Sequence, residues 1–286
     1  MNLNFWLIQA FNGISYGALL FLVGSGLSLI FGVMRIVNLA HGSYFLLGGY
    51  VALTVIWTTG SWLLALPVAA LAIALLGLAM ERMFLRPLGF DPLRQVLLTV
   101  GFAFLFQQAA LDIWSGNNFD ITPPPALSTT VNIGGLYLPL YRIFMIAMAA
   151  AIGLALWLAM EKTRLGAAVR ATVDDAQMAR GIGIDTSRIS MLIFALGAFL
   201  AALGGVIGGA FLGVYPGLDF EMLPLAFAVV IIGGMGSLGG AAIGALAVGL
   251  ADNFGKALFP EISYFTLYAP MALILAIKPT GLFGRE

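Results

Sequence analysis

Long apolar runs recur from one end of the 286-residue chain to the other, and no other feature restricts the fold so severely. A helix needs about 20 mostly apolar residues to cross roughly 30 Å of hydrocarbon, and lipid offers irregular backbone no hydrogen-bonding partner. Each run therefore reads as a helix, with candidates at 5–33, 42–60, 62–80, 95–113, 142–160, 189–213, 222–234, 238–257 and 264–278. The first is long and the seventh short, so a break or re-entrant turn is open at both, giving eight or nine spans. Hydrophobic residues make up 61% of the chain and charged ones 9%, where a soluble protein carries about 25% charged. Because the excess is spread over the whole length, a soluble enzyme behind a signal peptide or single anchor is excluded. The expected fold is all-α, a polytopic transmembrane helical bundle forming one domain over 1–286. The start Met1-Asn2-Leu3-Asn4 has no basic n-region, so the first run is expected to remain as a span.

The chemistry that is missing narrows the function. Thirteen basic and thirteen acidic residues leave no net charge, hence no electrostatic footprint for nucleic acid. Cysteine is absent and histidine occurs once, so thiol catalysis, cysteine metal sites and His-Glu-x-x-His chemistry are all excluded. No catalytic residue and no metal ligand set is assigned. No Gly-x-x-x-x-Gly-Lys-Ser/Thr loop is present; Gly255-Lys256-Ala257 lacks the hydroxyl and the spacing, so no cofactor is expected in this chain. The ionisable groups nearest the apolar runs are Glu81, Asp112, Glu161 and an Asp252/Lys256 pair one turn apart. None reads as a midplane carboxylate of the kind an ion-coupled symporter retains.

Basic residues orient the chain, because cytoplasmic loops retain an excess of Lys and Arg. Arg35, Arg82, Arg86, Arg94, Lys162, Arg164, Arg170, Arg180, Arg188, Lys278 and Arg285 fall on one side, leaving only Arg142 and Lys256 on the other. This puts loops near 34–41, 81–94 and 161–188 and the C-terminus in the cytoplasm, and the Pro123-Pro124-Pro125 loop, 114–141, outside. The N-terminus is outside if all nine segments cross, and inside if one of them is re-entrant. Thirty-six glycines exceed what turns need. Small residues four apart, at Gly13/Gly17, Gly204/Gly208 with Gly205/Gly209/Gly213, and Gly236/Gly240/Gly244, let helix backbones approach closely. Tight packing is the plain reading, and sliding of such faces during gating is the functional one.

The cytoplasmic loop 161–188 carries the most information. Residues 167–180 read as a short helix with Arg170 and Asp174 one turn apart and a surface kept small by alanine. Gly181 and Gly183 stop it, and Asp185 or Ser187 can cap the next span. Spacing alone leaves open whether this is an interfacial connector or a helix that docks into a groove on a partner.

The run Gly166-x-x-x-Arg170-Ala171-x-x-Asp174-x-x-x-x-Ala179-x-Gly181-Ile182-Gly183 resembles the coupling loop, the EAA-type motif, of ABC importer permeases. Two further stretches, Gly26-Leu-Ser-Leu-Ile-Phe-Gly-Val-Met-Arg-Ile-Val-Asn-Leu-Ala-His-Gly42 and Gly233-Gly-Met-Gly-Ser-Leu-Gly-Gly-Ala-Ala-Ile-Gly244, narrow the resemblance to the LivH-type permease of branched-chain amino acid importers. It runs over essentially the whole chain, ending at Gly-Leu-Phe-Gly-Arg (281–285), and departs from the pattern at Arg180-Gly181, where apolar residues are expected. The resemblance implies the ABC importer permease fold and a half-transporter in the bacterial inner membrane. Its implied partners are a homologous second permease, two cytoplasmic ATPase subunits that bind the ATP, and an external solute-binding protein.

Path residues are read from polar side chains next to the spans: Asn12, Ser15, Asn38, His41, Ser43, Gln107 and Gln108. Asn38 and His41 flank the start of the second helix, where capping is the plainer role, and the two glutamines are expected to bond across helices. Rival readings are a related importer of urea, short amides or aromatic acids, a stand-alone secondary transporter or channel, and a membrane scaffold. The last leaves the 161–188 motif unexplained.

Overall fold

The computed structural model describes residues 3–89, 91–278 and 281–283. The closing Gly-Arg of 284–285, with Arg285, and the first two residues lie outside the described part. Among the described residues, nine apolar helices occupy the nine runs: α1 (Leu3–Met34), α2 (His41–Thr59), α3 (Trp62–Met80), α4 (Pro92–Trp114), α5 (Leu140–Lys162), α8 (Thr186–Leu212), α9 (Leu218–Gly233), α10 (Leu238–Leu258) and α11 (Ser263–Ile277). Two short polar helices, α6 (Arg164–Asp174) and α7 (Ala176–Gly181), lie in the long loop. Among the described residues, six helices are long and apolar enough to cross a membrane: Leu3–Met34, Trp62–Leu88, Pro92–Trp114, Leu140–Lys162, Thr186–Leu212 and Leu238–Leu258. The chain is a multi-pass all-α membrane protein.

The structure adjusts several boundaries for local reasons. The first run is one unbroken helix of 32 residues. The seventh starts at Leu218 rather than 222, so Asp219 and Glu221 sit in its first turn, where the amide dipoles favour acids. Gly60 has φ +70 and Ser61 accepts from the amide of Leu64 at 3.3 Å, which makes 60–62 the expected turn. Residues 130–139, read as loop, form an antiparallel hairpin of β1 (Thr130–Ile133) and β2 (Leu136–Pro139). Gly134 and Gly135, both with positive φ, allow its two-residue turn.

The interior is built by α1, α2, α8, α9 and α10, whose facing glycines remove the side chains that would hold the helices apart. A Cβ on Gly249 would lie 2.5 Å from the carbonyl of Gly13 and the amide nitrogen of Gly17. One on Gly48 would lie 2.6 Å from the Cα and carbonyl oxygen of Ala202. Gly205 and Gly208 meet Phe45, Gly209 meets Val214, and Gly240 and Gly244 meet Gly233 and Val229. Gly213 and Gly236 are different: both have positive φ and serve turns, not helix faces. Between the helices Tyr44, Phe45, Tyr50 and Phe194 are fully buried, whereas Leu75, Leu97, Leu105 and Leu154 on α3, α4 and α5 are exposed, as suits a lipid-facing rim.

Charge separates the two ends of the bundle. Arg142 donates to Oδ1 of Asn12 and stands over the Phe211 ring, while Lys256 pairs with Asp252 at 2.8 Å and lies near the Tyr16 ring. At the opposite end Arg86 donates to Oγ of Ser187, joining the end of α3 to the start of α8.

Candidate functional site

Two arrangements bear on function, one inside the bundle and one at its basic end. The interior arrangement arises because α2 starts late. Residues 35–38 are not helical, and Arg35 turns the chain at φ +53, so the segment after α1 runs back among the helices before α2 begins. A Cβ on Gly26 would lie 3.2 Å from Cε1 of His41 and 2.6 Å from the carbonyl of Gly197. Gly197 is eleven residues into α8, about 16 Å along its axis at 1.5 Å per residue. The first turn of α2 therefore lies well inside the bundle and not at its end.

A helix start in that position exposes amides that need partners. Oγ1 of Thr99 on α4 accepts from the amide of Leu39 at 3.3 Å, and Oδ1 of Asn38 accepts from the amide of Ala40 at 3.2 Å. The N-cap itself is Ala40, without a side-chain cap, so Asn38 shapes the turn before the helix and His41 does not cap. His41 instead reaches α1. Its Nε2 is 2.9 Å from the carbonyl of Val23, and a carbonyl can only accept, so Nε2 carries the proton and Nδ1 is left without a partner. Ser43 donates to Oδ2 of Asp219 at 3.1 Å across 176 residues of sequence. Asp219 is 2% exposed. Its carboxylate lies in the first turn of α9 and is bonded from the first turn of α2, so two helix N-termini offset its charge. A buried carboxylate is therefore held inside the bundle, although Asp219 falls between the apolar runs of the sequence.

The structure does not gather the other candidate path residues. Asn12 is at the Arg142 end, and Ser15 returns its hydroxyl to the carbonyl of Phe11 at 2.6 Å. Gln107 is half-buried on α4, and Gln108 bonds Asp112 at 2.9 Å within its own helix instead of across helices. Asn38, His41, Ser43, Thr99 and Asp219 converge about the first turn of α2, and all five are buried. Asp219 and Thr99 were missed for want of a local signal, since each is polar for a partner distant in sequence.

At the basic end the expected helix 167–180 is two helices. Asp175 adopts an extended φ of −152° and accepts from the amides of Gln177 and Met178 at 2.8 and 2.9 Å, so it caps α7 and interrupts the helix before it. The spacing of Gly166 and Arg170 has a reason inside this chain. Thr163 caps α6 by accepting from the amide of Gly166 at 3.1 Å, and Gly166 lies so close to α5 that a Cβ would strike the carbonyl of Met160. Arg170, one turn on, donates to that same carbonyl and stands 3.9 Å from Glu161. Together they lock the α5–α6 elbow. Ala171 is half-buried and its carbonyl accepts from the amide of Asp175, while Asp174 is exposed at the end of α6. Ala179 is 2% exposed and packs inward, so a partner would meet Met178 and Ile182 instead, which stand 65% and 70% exposed. Gly181 ends α7 with open space around it, and Gly183 needs its φ of +90°. Asp185, not Ser187, caps α8, accepting from the amide of Arg188 at 3.0 Å.

Residues 9–275 match the family model described as the permease component of branched-chain amino acid transport systems. The chain belongs to this family. It is 31% identical to the high-affinity branched-chain amino acid permease protein LivH of Salmonella typhimurium, over 98% of this chain and 96% of the relative. It is 29% identical to BraD of Pseudomonas aeruginosa over the same shares. A second type of permease, LivM of Escherichia coli, is 27% identical over 91% of this chain and 67% of its own length. The chain is thus a transport permease component and not a catalytic enzyme.

Proposed function

We propose that this chain is one membrane half of an ABC importer for branched-chain amino acids, pairing with a second permease related to it. Two ATPase subunits dock on the basic end and a solute-binding protein delivers cargo at the other. What carries this reading is the alignment with LivH and BraD along nearly the whole chain, loop 161–188 included. It is supported by a loop that is braced at the elbow and exposes apolar side chains at its tip. In this arrangement the chain crosses at all nine apolar runs, with α2 and α9 starting inside the bundle, the N-terminus is outside, the basic end faces the cytoplasm, and the membrane is the bacterial inner one. Pairing of α1 with α10 supports the outside N-terminus: Gly13 meets Leu250, so the start of α1 lies at the same end as the close of α10. The α6–α7 segment transmits ATPase closure through α5 and α8, the helices it joins.

Affinity purification of the tagged chain in mild detergent tests the assembly, with a second permease and two ATPases expected to co-elute. Proteoliposomes of that complex with the binding protein should take up leucine, isoleucine and valine when ATP is supplied. Uptake driven by a proton or sodium gradient in the isolated chain would refute the reading, and uptake of urea in preference to leucine would refute the cargo.

A further inference from the structure

The basic end holds a cavity of about 310 Å³ between the end of α1, the end of α3, the start of α4 and the α6–α8 loop. Its wall combines charges of both signs with a greasy patch. The acid is Glu81, which is 2% exposed and whose Oε2 has no hydrogen-bond partner. It opens a π-helical turn, Glu81–Leu85, that continues α3, a widening that recurs at functional sites. The cations are Arg86 and Arg180. A guanidinium carries five N–H donors. Ser187 takes one from Arg86 and the carbonyl of Ala176 takes Nε of Arg180, so both retain donors for a carboxylate. Asp185 also lines the cavity, but it is held by Arg188 at 2.8 Å and caps α8. Val33, Met34 and Leu85 supply the apolar surface.

Arg86 and Arg82 partly offset the Glu81 charge, but a buried carboxylate oxygen without a hydrogen bond is costly unless a donor completes it, and the complement of this wall is a zwitterion with an apolar side chain. We propose that the cavity binds a free apolar α-amino acid, its ammonium on Glu81, its carboxylate on Arg86 and Arg180, and its side chain against Val33, Met34 and Leu85. A fatty acid would leave Glu81 unsatisfied, and a cationic peptide would meet two arginines. Because α7 supplies Arg180 and α3 supplies Glu81, the ligand would tie the loop to the bundle. That the ligand is the transported cargo, met on the side of its release, rests on the permease reading; the binding itself does not.

The test is calorimetric titration of L-leucine into the full chain in nanodiscs, which needs neither partners nor transport. L-leucine is expected to bind. N-acetyl-leucine lacks the ammonium and leucinamide the carboxylate, and each should bind at least about tenfold more weakly, the loss of one charge-assisted contact. Glu81→Gln and Arg180→Gln should weaken leucine to a similar degree. If Glu81→Gln fails to fold, Arg180→Gln on the exposed helix and the two analogues decide the matter. Absence of leucine binding, or binding that neither the substitutions nor the analogues change, overturns the proposal. Failed leucine uptake by the reconstituted complex, with binding intact, would instead count against the permease reading.

Discussion

Replacing Gly166 with alanine sets two effects of opposite sign against each other. Alanine favours a helix over glycine by about 1 kcal/mol, so an exposed Gly166 would make the change stabilising. The new Cβ, however, would lie 2.5 Å from the carbonyl oxygen of Ala159 and from the carbonyl carbon of Met160, where ordinary contact begins at 3.4 Å. These are backbone atoms of α5, with no side chain to swing aside, and the carbonyl oxygen of Met160 is nearer still, so α6 must retreat by more than about 0.9 Å. That retreat breaks the bond from Arg170 to Met160, about 1.5–3 kcal/mol for a charged donor, and strains the Thr163 cap, about 1 kcal/mol. Less the gain from alanine, the elbow loses about 1.5–3 kcal/mol, so amides of 164–174 should exchange with deuterium roughly tenfold to a hundredfold faster. Peptides from α1 and α8 should be unaffected, and uptake by the reconstituted importer should fall. Gly181→Ala is the internal control: it is a glycine of the same motif with nothing within 4 Å, and it should leave both measurements at wild-type values. Unchanged exchange and uptake in Gly166→Ala, or equal effects of the two substitutions, would refute the reasoning.

Further expectations concern the interior and the two ends. Ser43→Ala removes the donor to Asp219 and should lower stability by about 1–3 kcal/mol, read as an earlier thermal melt in nanodiscs; an unchanged melt would mean the pair is not formed. Met178→Asp and Ile182→Asp alter exposed side chains at the loop tip, so the chain should fold and pair normally but lose its ATPases on purification. Normal ATPase content would place the docking surface elsewhere. The chain has no cysteine, so single introduced cysteines report sidedness cleanly. Asn118→Cys should react with an impermeant maleimide in intact cells and Gln177→Cys only after lysis, and the reverse pattern would invert the orientation.

The helices were legible because lipid leaves the backbone little choice: nine apolar runs became nine apolar helices, with ends displaced by up to four residues. The Gly13/Gly17 face was legible too, since small residues at helical spacing have few other uses in a chain this apolar. What the sequence concealed depends on tertiary partners. An Asp-x-Glu at 219–221 reads as the end of a loop until Ser43 stands opposite it. The break at Asp175 was hidden by the alanines that recur on both sides of it, although aspartate is a strong cap and Thr172-Val173-Asp174, which end α6, are weak helix formers. The motif residues of 166–183 were identifiable, but not their division of labour: Gly166 and Arg170 brace the chain internally, Ala179 is buried, and the exposed surface belongs to residues between them.

The pairing of α1 with α10 also constrains how the protein is made. Gly13 and Gly17 close against Gly249, more than two hundred residues later. At 5–20 residues per second, the ribosome needs about ten to fifty seconds to supply that stretch. Throughout this interval the first helix is in the membrane with its glycine face bare, and unrelated helices leaving the same insertion machinery can occupy it. The bundle cannot close in the order of its synthesis. Completion waits for the tenth helix, so truncations before residue 238 should leave a chain that inserts but is removed by quality control.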